Sequence, residues 1–270
     1  MEKKYYFLAG LPRSGNTLLS SILNQNPDIY SSPLSPITTM LWDFEKSASQ
    51  NENVIRLNNI SPVVNVAKNI IINYYSEITK PIIIDREKAW GTEPNLRLIK
   101  KYITEKPKII FTVRPIIEVL ASFINILPDY SYVDKAMEES NWWYKDYLTK
   151  NDNRCDFLMQ PNQQIDQTLL SINEIIKNEN KDIFWIVEYK NIVNDPQNTM
   201  NGIYDFLQIP RYQHDFNNII QVNDSNDEKV GQSKNMHEVR TKLTYISKNP
   251  KEILSDYVIN KYSNMGWGIE

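Results

Sequence analysis

The apolar run Tyr5-Tyr6-Phe7-Leu8-Ala9 stops at Gly10, a second glycine follows at Gly15, and Leu18, Leu19, Ile22 and Leu23 then recur at helical spacing. Strand, glycine turn and helix in that order constrain this chain more than any other feature in it. The turn aims backbone N–H groups and the positive end of a helix at one spot, and that spot suits an anion. Glycine is scarce, seven in 270 residues, so a pair in one short loop points to a backbone requirement there.

Gly10, four residues, Gly15, one residue, Thr17 is the spacing of a Walker A loop. Asn16 stands where that loop has its lysine, which argues against an ordinary nucleoside triphosphatase. Arg13, three positions earlier, supplies a fixed charge on a planar fork suited to oxyanions. A turn capped by Ser14 or Thr17 and holding no ligand would share the spacing, but strand, Arg13, Thr17 and helix together favour phosphate binding.

Further along, a first helix is expected from Thr17 to about Gln25, ending before Pro27. A short segment, Asp28 to Ser32, leads to helices at Ile37–Ser49 and Pro62–Ile78, the second with Val63, Val66, Ile70 and Tyr74 on its buried face. Continuous aliphatic runs at 81–84, 108–113 and 183–187 read as strands covered on both sides. Helices are expected at Asn95–Tyr102, after Pro115, at Tyr132–Lys150, at Gln163–Lys177 and from Asp195-Pro196 to Leu207. This rhythm implies right-handed crossovers and a three-layer αβα, P-loop-type α/β fold with a central, mainly parallel sheet, in one domain over residues 1–270.

Gly-x-Pro-Arg-Ser-Gly-x-Thr-Leu-Leu resembles the 5′-phosphosulfate loop of sulfotransferases that use PAPS (3′-phosphoadenosine 5′-phosphosulfate), especially their Golgi and bacterial branches. The run Ile-Phe-Thr-Val-Arg-Pro, with Ser122 eight residues past Arg114, resembles the same family's 3′-phosphate motif. The resemblance implies a P-loop fold, sulfuryl transfer without a metal, and PAP (adenosine 3′,5′-bisphosphate) as product. Pro12, Arg13, Ser14, Gly15, Asn16, Thr17 and Leu18 would hold the 5′-phosphosulfate, with Arg13 stabilising charge on the departing phosphate. Arg114 and Ser122 would hold the 3′-phosphate, and a late loop with Gly231 and Lys234 would fold over the nucleotide. Tyr189 corresponds to a tyrosine near the nucleotide in relatives, although a core role also fits it.

Transfer to an alcohol also needs a base for the acceptor's proton. Cytosolic relatives use a histidine, and the tyrosylprotein branch a glutamate shortly after the first helix, where this chain reads Ser31-Ser32-Pro33-Leu34-Ser35. Asp85, at a strand's carboxyl end, is the first choice by position, and Asp85-Arg86 with Trp90 resembles the Asp-Lys-x-x-x-Trp pattern of bacterial relatives. An ion pair with Arg86 would equally explain it. Glu87, Asp43 and Glu45 are reserves, followed by His214 and His237, and Trp42 and Trp90 are candidates for the acceptor wall. Of the adjacent Trp142 and Trp143, one is expected in the core.

A net charge of −3 with mixed signs offers no field for nucleic acid, and two distant histidines with one cysteine make a zinc site unattractive. The single cysteine, Cys155, suits a reducing compartment. Met1-Glu2-Lys3-Lys4 leads straight into the first strand and no apolar run is long enough to span a bilayer, so a cytoplasmic protein without membrane contact is expected. The expected partner is an acceptor hydroxyl on a small molecule, saccharide or peptide, with an amine as second choice. A P-loop small-molecule kinase and a non-catalytic nucleotide-binding module stay open as alternatives.

Overall fold

The computed structural model describes residues 3–142, 144–161, 163–178, 182–221, 229, 237–244 and 249–267. The four apolar runs form Lys4–Gly10 (β1), Ile82–Arg86 (β3), Ile109–Val113 (β4) and Phe184–Glu188 (β5). Ile29–Ser31 (β2), within the segment read only as a connection, adds an edge strand. The five pair in parallel in the order β2-β3-β1-β4-β5, with Phe7 beside Asp85 and Gly10 beside Thr112. The carboxyl ends of β1, β3 and β4 therefore share one edge, which gathers the Gly10–Thr17 loop, Asp85-Arg86 and Arg114 from distant parts of the chain.

Helices cover both faces of the sheet. In order they are Asn16–Leu23 (α1), Ile37–Gln50 (α2), Glu52–Ile55 (α3), Ser61–Tyr74 (α4), Glu93–Tyr102 (α5) and Ile116–Ile124 (α6). Tyr132–Glu139 (α7), Lys150–Leu158 (α8), Gln164–Asn178 (α9), Tyr189–Asn194 (α10), Pro196–Leu207 (α11) and Asp256–Tyr262 (α12) follow. Side chains of β1 alternate between two cores: Phe7 and Ala9 pack with Trp90, Phe111 and Leu98 on one side, while Leu8 packs with Ile22, Ile203 and Leu207 on the other. That alternation is why the strands are apolar throughout.

Two expected helices come out differently. The segment from Tyr132 to Lys150 is not one helix, because α7 ends at Glu139, capped by Ser140, and Asn141 takes a left-handed φ of 52°. The next helix, α8, starts afresh at a capping box of Thr149 and Asp152, a Thr-x-x-Asp signal legible in the sequence. In α4 the buried positions are Ala67 and Ile71, followed by Tyr75, and the expected stripe is left with Val66 56% and Tyr74 45% exposed. The phase is set by Tyr75, whose hydroxyl is drawn inward to donate to Asp85 at 2.7 Å. No helix among the described residues is long and apolar enough to cross a membrane.

Candidate active site

The loop between β1 and α1 is built around its two glycines. Gly10 has φ 141°, and a Cβ there would lie 2.3 Å from the Thr112 carbonyl oxygen. Gly15 has φ 90°, and a Cβ there would lie 2.8 Å from the Tyr189 ring. Between them Arg13 takes a left-handed φ of 62°. Gly15 is the N-cap of α1, so the N–H groups of Asn16, Thr17 and Leu18 open the helix with no carbonyl four residues back to receive them.

Asn16, the residue in the lysine's place, braces the loop. Its amide donates to the Leu11 carbonyl at 2.8 Å, and its Oδ1 accepts from the Thr112 hydroxyl at 2.8 Å. Ser14 is fully buried, with its Oγ 2.5 Å from the Leu11 carbonyl oxygen and 2.6 Å from the Thr112 hydroxyl. The Ser14 side chain is therefore a strut between loop and β4. Any ligand contact from this position falls to its backbone.

At the end of β4, Arg114 donates from Nε to Glu118 at 2.9 Å and from Nη1 to the Arg13 carbonyl at 3.1 Å, and its guanidinium lies 4.5 Å from the centre of the Tyr189 ring. Arg13 in turn donates from Nε to the Ser122 hydroxyl at 3.2 Å. The sequence reading put one guanidinium at each end of a nucleotide; in the structure the Arg13 side chain reaches Ser122, on the same side of the cleft as Arg114. Burial lowers the pKa of Arg13, and Arg114 nearby adds to the effect. Tyr132, beside Arg13, has its hydroxyl pushed up to about 12 by burial.

The guanidinium on the other side of the loop is Arg86. It ends β3 and donates from Nη1 to the Thr17 hydroxyl at 2.9 Å. Asp85 is fully buried and does not itself line the cleft. It accepts from Ser35 at 2.6 Å and from Tyr75 at 2.7 Å on Oδ2, and from the Trp90 indole at 2.7 Å on Oδ1. Burial pushes its pKa up while these three donors oppose the rise. Asp85 and Trp90 thus sit five residues apart because one hydrogen-bonds the other, and Trp90 is core, not acceptor wall.

These parts open on one cleft of about 810 Å³. Among the described residues, seven lysine and arginine side chains line it against three glutamates, an excess of positive charge in a chain whose net charge is −3. Pro12, Arg13, Gly15, Asn16, Thr17, Leu18, Arg114, Ser122 and Tyr189 are all in its wall. Gly231, Lys234 and Trp143 lie outside the described residues. Of the reserve bases, Glu87 and His237 line the cleft, and burial raises the pKa of Glu87. Glu45 is held instead by Arg97, Lys101 and Tyr102, which bring its pKa down to about 2. Asp43 and Trp42 also lie outside the cleft, the Trp42 indole donating to Asn95 at 2.8 Å.

His214 belongs to the opposite core. Its Nε2 is 2.8 Å from the Tyr204 hydroxyl, and burial draws its pKa from 6.5 down to about 4. The unfolded chain therefore binds this proton more readily than the folded one. Stability is full above the unfolded pKa and is lost as pH falls toward the folded one, by about 2–3 kcal/mol near pH 4.5 from this group. Urea unfolding near pH 7 and near pH 4.5 should show a smaller acid loss in His214→Phe than in the parent, and equal losses would assign the effect elsewhere.

A sulfotransferase family model matches residues 6–214. The chain belongs to the sulfotransferase family. This sulfotransferase shares its fold with the sulfotransferase domain of the Synechococcus PCC 7002 olefin synthase, at a TM-score of 0.53 and 18% identity, covering 100% of this chain and 91% of that one. A sulfotransferase domain from the curacin biosynthetic pathway superposes with a TM-score of 0.50 at 15% identity, covering 97% of each chain. No curated protein is a significant match to the sequence. The enzyme's cleft also holds residues that sequence reasoning passed over as site candidates: Arg86, Lys88, Ser35, Glu118 and Tyr132. Position at the end of β3 could have flagged Arg86 and Lys88, and four-residue spacing from Arg114 could have flagged Glu118. Ser35 and Tyr132 carry no sequence signal.

Proposed function

We propose that this sulfotransferase takes its sulfuryl group from PAPS and passes it to a hydroxyl, with an amine as second choice, on a small molecule, saccharide or peptide. The observation that carries the reading is the convergence of two anion-binding groups in one cleft: the α1 N-terminus with Arg86 on Thr17, and Arg114 with Arg13 and Ser122. The donor set fits a nucleotide with separate anionic groups at its 5′ and 3′ ends. Amides of Gly15, Asn16, Thr17 and Leu18 would take the 5′-phosphosulfate, and Arg86 would meet the charge that develops on the departing phosphate. Arg114 and Ser122 would take the 3′-phosphate, with Arg13 reaching between the two ends. The whole chain, 1–270, would act as one domain in the cytoplasm, in keeping with a single, buried cysteine.

In a P-loop kinase the hydroxyl equivalent to Thr17 holds magnesium. Here that hydroxyl accepts from the Arg86 guanidinium, which supports PAPS over a metal-bound triphosphate. Calorimetric titration should show PAP binding without magnesium, undisturbed by ATP with magnesium. Displacement of PAP by ATP and magnesium would favour the kinase, and no PAP binding would remove the donor assignment.

A further inference from the structure

Resting on that reading of the cleft, we propose that the acceptor's proton leaves through Ser35 to the buried carboxylate of Asp85, so that Ser35 is the group the acceptor touches and Asp85 the end of a two-step relay. Asp85 is wholly enclosed, yet one of its three donors is a residue of the cleft wall. Ser35, in the turn between β2 and α2, donates to Asp85 Oδ2 at 2.6 Å and accepts the Ile37 N–H at 3.2 Å. A hydroxyl oxygen has two acceptor sites, so this one can take a further proton donor from the cleft while its own proton is aimed at Asp85.

The other two donors prepare the carboxylate for this task. Tyr75 on Oδ2 and Trp90 on Oδ1 are neutral, so they orient the carboxylate and favour its ionised form against the opposing effect of burial, without a cation to quench its basicity. Tyr75 arrives from the end of α4 and Trp90 from the turn after β3, and both are fully enclosed in the core. Among the described residues the carboxylate is therefore enclosed by core on the sides of Tyr75 and Trp90 and meets the cleft through the serine. The β2–α2 turn is itself pinned, since the Ser32 hydroxyl accepts the Arg86 N–H at 2.8 Å and Ser20 donates to the Ser32 carbonyl at 3.2 Å.

The step balances. As the acceptor oxygen forms its bond to sulfur, its proton passes to Ser35 Oγ and the serine's own proton passes to Asp85 Oδ2. The bond from sulfur to the 5′-phosphate oxygen breaks, and its electron pair leaves on PAP. Asp85 ends neutral, and its proton returns by the same path once the product has gone. The Arg86 backbone N–H is tied to Ser32 while its guanidinium reaches Thr17, so the relay and the phosphate group are fixed to one strand end.

Water is itself a hydroxyl acceptor, so the probe is release of labelled sulfate from PAPS by the full-length protein, with PAP affinity measured alongside. Ser35→Ala should lower the rate about 100-fold or more, the scale of general-base catalysis, with PAP affinity unchanged. Ser35→Thr, which keeps the hydroxyl, should recover most of the rate. Asp85→Asn should lose about as much as Ser35→Ala, and the double variant no more than either, because the two act as one unit. Equal rates in the parent and Ser35→Ala, whether fast or at the background level, overturn the relay, as does additive loss in the double variant. Loss of rate in Glu87→Gln but not in Ser35→Ala overturns it too and names Glu87 as the base. Absence of PAP binding in the parent would instead strike the donor assignment on which the relay rests.

Discussion

Arg114→Ala is expected to weaken PAP binding roughly 30- to 150-fold, about 2–3 kcal/mol, the scale of a lost charge-assisted hydrogen-bonding partner. The size follows from how the side chain is held. Its side chain is 8% exposed, with the guanidinium fastened by Glu118 and the Arg13 carbonyl and faced by the Tyr189 ring, so little of its freedom is left to lose when a phosphate arrives. Adenosine 5′-phosphosulfate, which lacks the 3′-phosphate, serves as the control ligand, and its affinity should change little. Arg114→Lys keeps the charge but loses the planar fork and the ring contact, and should recover less than half of the lost binding energy. Unchanged PAP affinity in Arg114→Ala would refute the 3′-phosphate assignment. Equal losses for both ligands would mean that Arg114 acts by shaping the loop.

Arg154→Ala is expected to cost about 3–5 kcal/mol of stability, because it removes the two-point partner of a buried carboxylate and leaves it the half-exposed Lys150 at 3.7 Å. Arg154 and Asp134 are 4% and 1% exposed, joined by hydrogen bonds of 3.0 and 2.6 Å. Burial alone would raise the pKa of Asp134, but donors from Arg154 and Ser131 outweigh it and hold the carboxyl below its usual range. Arg154 also donates to the Pro128 and Asp129 carbonyls at 2.8 and 2.9 Å, so it ties α8 to the turn before α7. That turn leads into Tyr132, in the cleft wall beside Arg13, so the pair supports the site as well as the fold. In urea unfolding, Arg154→Met with Asp134→Leu should recover most of the loss, since no charge is then left stranded. A cost of less than about 1 kcal/mol for Arg154→Ala would show that Asp134 finds water or another partner and that the pair supports little.

Both effects trace to the same arrangement, in which arginines hold backbone carbonyls as well as carboxylates. Arg114 holds the carbonyl of Arg13, and Arg154 those of Pro128 and Asp129. Each therefore positions a loop that bears a cleft residue. Arg86 differs from these two: its guanidinium meets the Thr17 side chain and so places charge at the mouth of α1.

Local chemistry was enough to announce the loop and the sheet. A glycine that must take φ 141° or 90°, an apolar run before it and an amphipathic helix after it are properties of neighbouring residues, and so were readable without the fold. The same holds for Arg114, which follows an apolar strand and precedes a proline-opened helix. Long-range contacts decided the rest. The direction of the Arg13 side chain, the phase of α4 set by the bond from Tyr75 to Asp85, and the enclosure of Trp90 depend on partners that spacing along the chain does not encode. Asp85 shows the division most clearly: its place at a strand end was legible, but that it meets the cleft through Ser35, fifty residues earlier, follows from parallel pairing of β2 with β3. Sequence specifies which residues terminate each strand, whereas side-chain burial and direction arise only when separate strands and helices close around one another.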